Sequence, residues 1–205
     1  QNAPASVILR FALSADEQTA FLAYFKGHWH EHSMHLLFNT GLRVGELLAL
    51  QWEEVEIIDD ERGYVHVNGS MGLTEFGVRR KATKNASSVR RVPFCNKYLV
   101  HLLQEAKKCS QTVWVVSNKE GSGPMQKHNF MNRYFRDVGK KLNFDHPMSS
   151  HVVRHTYISN LVAQGIPVTT IATFAGHTNP EMIMTVYAHA IRDDEKEFAY
   201  AALAQ

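Results

Sequence analysis

The spacing of apolar positions changes period twice along the chain. Behind Ser14-Ala15-Asp16-Glu17, where a Ser is followed three residues on by a Glu, Phe21, Leu22 and Phe25 recur at helical spacing. The Ser and Glu can cap the first turn reciprocally, so a helix is expected there. A second is expected from Glu31 to Asn39, broken by Gly41, and a third over Arg43 to Leu50, with its leucines turned toward a core. The period then falls toward two. Val55-Glu56-Ile57, Tyr64-Val65-His66-Val67 and Ser88 to Phe94 alternate or are rich in β-branched residues, separated by Asp59-Asp60-Glu61-Arg62-Gly63 and by a polar, basic stretch. They predict a small antiparallel sheet. Helical spacing returns from Asn96 to Lys108, is interrupted by a short strand over Thr112 to Val116, and resumes over Gln126 to Leu142 and Ser149 to Ala163. Pro167 opens a short helix toward Ala175-Gly176, and further helices are expected over Glu181 to Tyr187 and Arg192 to Leu203. The fold class expected is α+β, mainly α, in one domain with a small antiparallel β-sheet.

Composition narrows the class. With 205 residues, 44% hydrophobic and 20% charged, the chain can close a core of its own and is neither disordered nor fibrous. The absence of an 18-residue apolar run and of a secretory pattern argues against a membrane partner and for a cytoplasmic location. Cys95 and Cys109 are too few for a disulfide framework, which agrees with a reducing compartment. The formal net charge of +2 conceals an uneven distribution. Residues 1–62 carry 4 basic and 10 acidic side chains, residues 63–154 carry 16 and 5, and residues 155–205 carry 2 and 5. Arg79, Arg80, Lys81, Lys84, Arg90 and Arg91 fall within thirteen residues that contain no acid. Such a run suits a polyanion, because every phosphate neutralised releases condensed counterions, although a solvated face would look the same in sequence.

Four separated segments place phosphate-compatible groups near helix ends or turns. They are Thr40-Gly41-Leu42-Arg43-Val44-Gly45-Glu46, the basic stretch with Lys84 six residues before Arg90-Arg91-Val92-Pro93, His151-Val152-Val153-Arg154-His155-Thr156, and Gly176-His177 with Tyr187 ten residues after that His. In this order and at these separations they resemble the catalytic domain of the tyrosine recombinase (phage integrase) family over residues 13–190.

The resemblance implies a site-specific DNA recombinase or integrase domain that cuts and rejoins strands through a 3′-phosphotyrosyl link, without metal, ATP or other cofactor. It assigns catalytic roles to Arg43, Lys84, His151, Arg154, His177 and Tyr187. Arg43 and Arg154 would fork onto the scissile phosphate, whose charge in the transition state spreads over its non-bridging oxygens. Tyr187 would be the nucleophile. Lys84 would protonate the departing 5′-oxygen, with Lys81 as the competing candidate. His151 and His177 would bond phosphate oxygens. Glu46 would orient these charges from behind, unless it is a surface carboxylate. Arg79, Arg80, Lys81, Arg90 and Arg91 would contact the DNA backbone.

Two departures from the family pattern are Ala175, where Leu is usual, and Pro180 in the turn before Tyr187. The partners implied are double-stranded DNA and a neighbouring subunit that receives the terminal helix; no small-molecule substrate is implied. Residues 1–205 are expected to be a single catalytic domain, with the core over 13–190, a C-terminal helix or tail over 191–205, and no N-terminal core-binding domain.

Rival classes rest on fewer residues. A zinc site is suggested by His28, His32 and His35 at i, i+4 and i+7 and by His151 and His155, but no Cys or carboxylate cluster completes it. The histidines of His28-Trp29-His30-Glu31-His32 are instead expected at the surface or facing DNA. A helix-turn-helix regulator would use the segments around Gly176 and the basic run, yet would need neither Tyr187 nor two placed arginines. A type IB topoisomerase would share the chemistry and differ in acting as a monomer.

Overall fold

Ser14 caps the first helix as its sequence requires. In the computed structural model, which describes residues 12–75, 77–82, 89–118, 120, 123–176 and 183, Ser14 Oγ accepts the Glu17 N–H at 3.2 Å and Glu17 Oε2 accepts the Ser14 N–H at 2.9 Å. Helix α1 (Ala15–Tyr24) buries Phe21 completely. The Phe21 ring lies 5.3 Å from Phe25, 5.8 Å from Phe38 and 6.0 Å from Phe135, so one aromatic cluster ties three helical segments together.

Helix α2 (Glu31–Thr40) stops where Gly41 takes φ +59° and its N–H bonds back to Leu37 O at 2.8 Å. The αL turn redirects the chain, and helix α3 (Val44–Ala49) starts three residues later with Arg43 as its N-cap. A Cβ on Gly41 would lie 2.2 Å from the Tyr157 ring, so the turn is also a close backbone-to-helix contact.

A single 3₁₀ turn (Trp52–Glu54) leads into two small sheets. Strands β1 (Val55–Ile57), β2 (Arg62–Val67) and β5 (Arg90–Cys95) pair antiparallel in the order β1-β2-β5, with Val55 opposite Val65 and Val65 opposite Val92. Between them, the polar basic stretch is not a simple connection. Its residues form a hairpin of β3 (Gly69–Thr74) and β4 (Gly77–Ala82), in which Gly72 faces Arg79 and Ser70 faces Lys81. The hairpin lies against α3, where a Cβ on Gly45 would come within 2.6 Å of Ser70 Oγ.

Helix α4 (Lys97–Cys109) follows, capped by Asn96. The strand expected over Thr112 to Val116 is absent. Trp114 makes one isolated bridge to Gln51, and Val115 N–H reaches Leu50 O at 3.0 Å. The partner segment turns into the 3₁₀ helix at Trp52, so no ladder extends.

The helix expected over Gln126 to Leu142 is found as α5 (Lys127–Met131), a π turn (Asn132–Arg136) and α6 (Asp137–Lys141). In an uninterrupted α-helix, residues five apart diverge by about 140°. The wider turn returns Phe135 to the face of Phe130; both are fully buried, with ring centroids 5.8 Å apart.

Helix α7 (Ser150–Ala163) and helix α8 (Val168–Ala175) pack a second cluster of Tyr157, Ile158, Val162, Ile171, Ala172 and Ala175, which Ile183 joins. The helices expected over Glu181 to Tyr187 and Arg192 to Leu203 lie outside the described residues, Ile183 apart.

Candidate active site

The C-terminal end of α8 organises the site. The last carbonyls of a helix have no partner within it and carry the negative end of its dipole. Here the Gly176 N–H turns back to Ala172 O and Thr173 O, as Gly176 adopts φ +64°. The next three carbonyls are taken in succession by three arginines from three different elements. Arg90 of β5 donates Nε to Phe174 O at 2.7 Å, Arg154 of α7 donates Nη2 to Ala175 O, and Arg43 at the start of α3 donates Nη2 to Gly176 O at 2.9 Å.

Arg154 is buried, at 7% relative exposure. Its Nη1 donates to Gly41 O at 2.6 Å, so the αL turn that ends α2 supplies its second anchor. Burial first, and then the positive charge of Arg43 and of Arg90, lower its pKa to about 10, against the opposing pull of Glu46. It remains a cation at neutral pH.

Arg43 is more open, with its side chain 43% exposed. Its positive charge sits at the positive end of α3, a placement the helix dipole disfavours. Glu46 offsets this by accepting the Arg43 N–H at 2.8 Å and Nη1 at 3.1 Å.

Glu46 is 5% exposed, so the surface-carboxylate alternative does not describe it. Burial alone would raise its pKa. The hydrogen bonds and charge of Arg90, followed by those of Arg43, outweigh that and hold the carboxyl below its ordinary value.

Arg90 is a correction to the sequence reading. Expected among the DNA contacts, it is buried and gives Glu46 a two-pronged ion pair, Nη1 to Oε1 at 3.0 Å and Nη2 to Oε2 at 2.9 Å. Strand period foretells this: Arg90, Val92 and Phe94 share the buried face of β5, while Arg91 and Cys95 point out. The basic run had suggested a uniform surface, and the alternation within it carried the contrary signal.

Arg80 is also turned toward the protein, bonding the buried Glu54 and the exposed Asn68. Arg79 and Lys81 are exposed on β4. Arg91 is exposed too, bonded to Glu56 at 2.9 Å, with its guanidinium 4.2 Å above the Tyr64 ring.

His151 is exposed in the first turn of α7, one turn from the half-buried His155, whose pKa burial lowers first, followed by the charges of His151 and Arg154. Tyr157, on the same helix, is a buried packing residue against Gly41, and burial pushes its phenol up to about 12. Lys84, His177 and Tyr187 lie outside the described residues.

The histidines of α2 and the turn before it form no metal centre: among the described residues no group of three or more His, Cys, Asp or Glu is arranged to hold one. They are also not a surface group. His30 is 1% exposed and stacked on Trp29 at 3.8 Å, and His32 is buried with Nε2 2.9 Å from Val115 O. Apolar packing of the turn against Phe130 and Tyr134 outweighs the polarity of the imidazole.

The guanidinium groups of Arg43 and Arg154 converging on one helix end, backed by a buried carboxylate, form an arrangement chemically suited to an oxyanion such as a phosphodiester. The sequence profile of the phage integrase family matches residues 12–193, and the chain belongs to that family. It is 27% identical over 172 residues to the integrase of Staphylococcus phage L54a, covering 77% of this chain and 47% of that one. It is 30% identical over 175 residues to the ICEBs1 integrase of Bacillus subtilis (strain 168), covering 79% and 45%. The chain thus spans about half the length of the curated relatives it matches. Among solved structures, the Tn1549 transposon integrase in complex with circular intermediate DNA superposes with a TM-score of 0.75 at 22% identity, covering 91% of this chain and 66% of that one. XerA recombinase gives 0.70 at 20% identity, covering 91% and 64%. These two likenesses establish a shared fold.

Proposed function

We propose that this chain is the catalytic part of a site-specific DNA recombinase that cuts and rejoins DNA strands through a 3′-phosphotyrosyl intermediate. The observation that carries the proposal is the convergence of Arg43 and Arg154 on the successive carbonyls of residues 175 and 176 at the end of α8, each guanidinium having more N–H donors than these contacts use. Relatives named integrase and tyrosine recombinase, and a fold shared with an integrase solved on DNA, support it.

In this reading Arg43 and Arg154 grip the non-bridging oxygens of the scissile phosphate, where developing charge strengthens both contacts. The Tyr187 oxygen attacks phosphorus and gives up its proton, and the bond from phosphorus to the 5′-oxygen breaks. Lys84 donates a proton to that oxygen, so a 5′-hydroxyl leaves. His151 and His177 donate to the phosphate or pass the tyrosine proton. The phosphotyrosyl diester conserves the bond's free energy, and a second 5′-hydroxyl reverses the step on a new strand. Double-stranded DNA is the substrate. The tail over 191–205 docks on a neighbouring subunit when sites are paired.

The test is a nicked suicide DNA whose short 5′ fragment diffuses away after cleavage. With EDTA present, the wild-type chain should accumulate a covalent protein–DNA band, and Tyr187→Phe should bind the same DNA and accumulate none. DNA binding without an adduct in the wild type would favour a regulator, and adducts that persist in Tyr187→Phe would move the nucleophile elsewhere.

A further inference from the structure

We propose that Arg90 is a positioning residue for strand cleavage: through Glu46 it fixes the direction of the Arg43 guanidinium, and through Phe174 O it fixes the end of α8 on which Arg43 and Arg154 rest. The catalytic consequence rests on the recombinase reading; the geometry does not.

Each guanidinium nitrogen of Arg90 has an inward partner. Nη1 and Nη2 take the two oxygens of Glu46, and Nε takes Phe174 O. A planar fork on a carboxylate fixes the carboxylate plane as well as its position, which a point charge does not. Glu46 turns its remaining acceptor capacity to Arg43, with Oε2 on the main-chain N–H and Oε1 on Nη1. The other terminal nitrogen of Arg43 reaches Gly176 O, two residues beyond the carbonyl that Arg90 holds. The contacts therefore close a ring running from Arg43 through Glu46 and Arg90 to residues 174–176 and back to Arg43.

A closed ring has fewer alternative arrangements than an open chain of the same bonds, so displacing Arg90 loosens Arg43 at both of its anchors. Arg90 is well placed to set that geometry. It pairs with Val67 of the central strand β2, with Val92 and Phe94 buried on the same face of β5, so its own backbone is held by the sheet and the core. Its charge is already matched by the Glu46 carboxylate, which takes both terminal nitrogens, whereas Arg154 rests on uncharged carbonyls, so Arg90 is the less suited of the two to a direct phosphate contact. Backbone also abuts it: a Cβ on Gly176 would lie 2.7 Å from Nη1.

Arg90→Lys tests the proposal, because it keeps the charge and removes the fork; Glu46→Gln, which keeps the shape and removes the charge, is the second variant. Three quantities are read: adduct formation at saturating suicide DNA, DNA affinity with its salt slope, and the ¹⁵N guanidinium signals of Arg43 in the DNA-free chain, assigned with Arg43→Lys. The expected result is adduct formation slowed about 10²-fold, the usual consequence of displacing a reacting group by about 1 Å. Affinity and salt slope should be unchanged, and the distinct Arg43 signals should collapse to an averaged, solvent-like position. Loss of affinity with a shallower salt slope would overturn the proposal in favour of a phosphate contact. Wild-type adduct rates and Arg43 signals in both variants would also overturn it. Should the wild-type chain form no adduct, the recombinase reading fails on its own, and the Arg43 signals alone decide whether Arg90 positions that residue.

Discussion

Two glycines with the same backbone conformation separate the strain of a left-handed residue from the function of the site. Gly165, after α7, has φ +71°, and Gly176, after α8, has φ +64°. Alanine at either incurs the αL penalty of about 1 kcal/mol. A Cβ at Gly165 would meet nothing within 4 Å, whereas at Gly176 it would lie 2.7 Å from Arg90 Nη1 and 2.8 Å from its Cζ. That guanidinium cannot swing aside, being held by both Glu46 oxygens and by Phe174 O. Breaking a buried ion pair outright costs about 3–5 kcal/mol, and partial displacement roughly half of that. Gly165→Ala should therefore lose about 1 kcal/mol and Gly176→Ala about 3 kcal/mol. For a chain of this size these correspond to Tm decreases of roughly 2–4 °C and 6–12 °C. Urea unfolding measures the stabilities, and the suicide-substrate assay measures adduct formation at a temperature where both variants are folded. Gly165→Ala should cleave at the wild-type rate and Gly176→Ala about 10²-fold more slowly. Equal losses of stability and equal rates in the two variants would refute the argument, since they would mean that the Arg90 contact adds nothing to backbone strain.

The two faces of β4 make a second prediction: Arg79→Ala should reduce the salt slope of DNA binding by about one unit, while Arg80→Ala, whose guanidinium is spent on Glu54 and Asn68, should lower stability and leave the slope unchanged. A flat salt response in the wild type would remove the hairpin from the DNA interface. A third concerns His30, whose two ring nitrogens are buried with no hydrogen-bond partner among the described residues and whose pKa burial, then the charges of His32 and His28, lower from 6.5 to about 2. The unfolded chain takes up this proton near pH 6.5 and the folded chain does not, so stability falls as pH drops below that value. Between pH 7.5 and 5.5 the loss from this residue is about 1.4 kcal/mol. His30→Phe should abolish that part of the pH dependence in urea unfolding; an unchanged slope would mean the ring is solvated.

Capping chemistry made the helices legible. Ser14 with Glu17, and the left-handed turn at Gly41, end or start elements within a residue or two of where they are found. The β3–β4 hairpin was not legible as strands, because Gly-Ser-Met-Gly-Leu-Thr carries two glycines and few β-branched residues, and its pairing depends on a partner strand and on packing against α3. The π turn could not be read either, since it resolves a conflict between helical phase and the burial of Phe130 and Phe135 that exists only in three dimensions. Arg43 and Arg154 are singled out by motif, and the structure brings both to the end of α8 and shows what holds them there. The burial of Arg90 follows from its place in the strand alternation, which its charge masks in sequence, and that of His30 from the aromatic packing around it, which the polarity of imidazole masks.

The three arginines close on oxygens that belong to the main chain, and every amino acid brings the same oxygen. Substitution at 174 or 175 changes a side chain without withdrawing an acceptor. Ala175, standing where leucine is usual in the family, serves Arg154 as any other residue would. The lock is in this respect blind to genetic drift along α8, and its charge geometry can persist while the sequence around it turns over. The tolerance stops at Gly176, where a side chain would strike Arg90, and at Glu46, whose carboxylate no peptide group can imitate. Lineages built on this arrangement are thus expected to vary at 174 and 175 within the limits that core packing sets, Ala175 being fully buried, and to remain fixed at 46, 90 and 176.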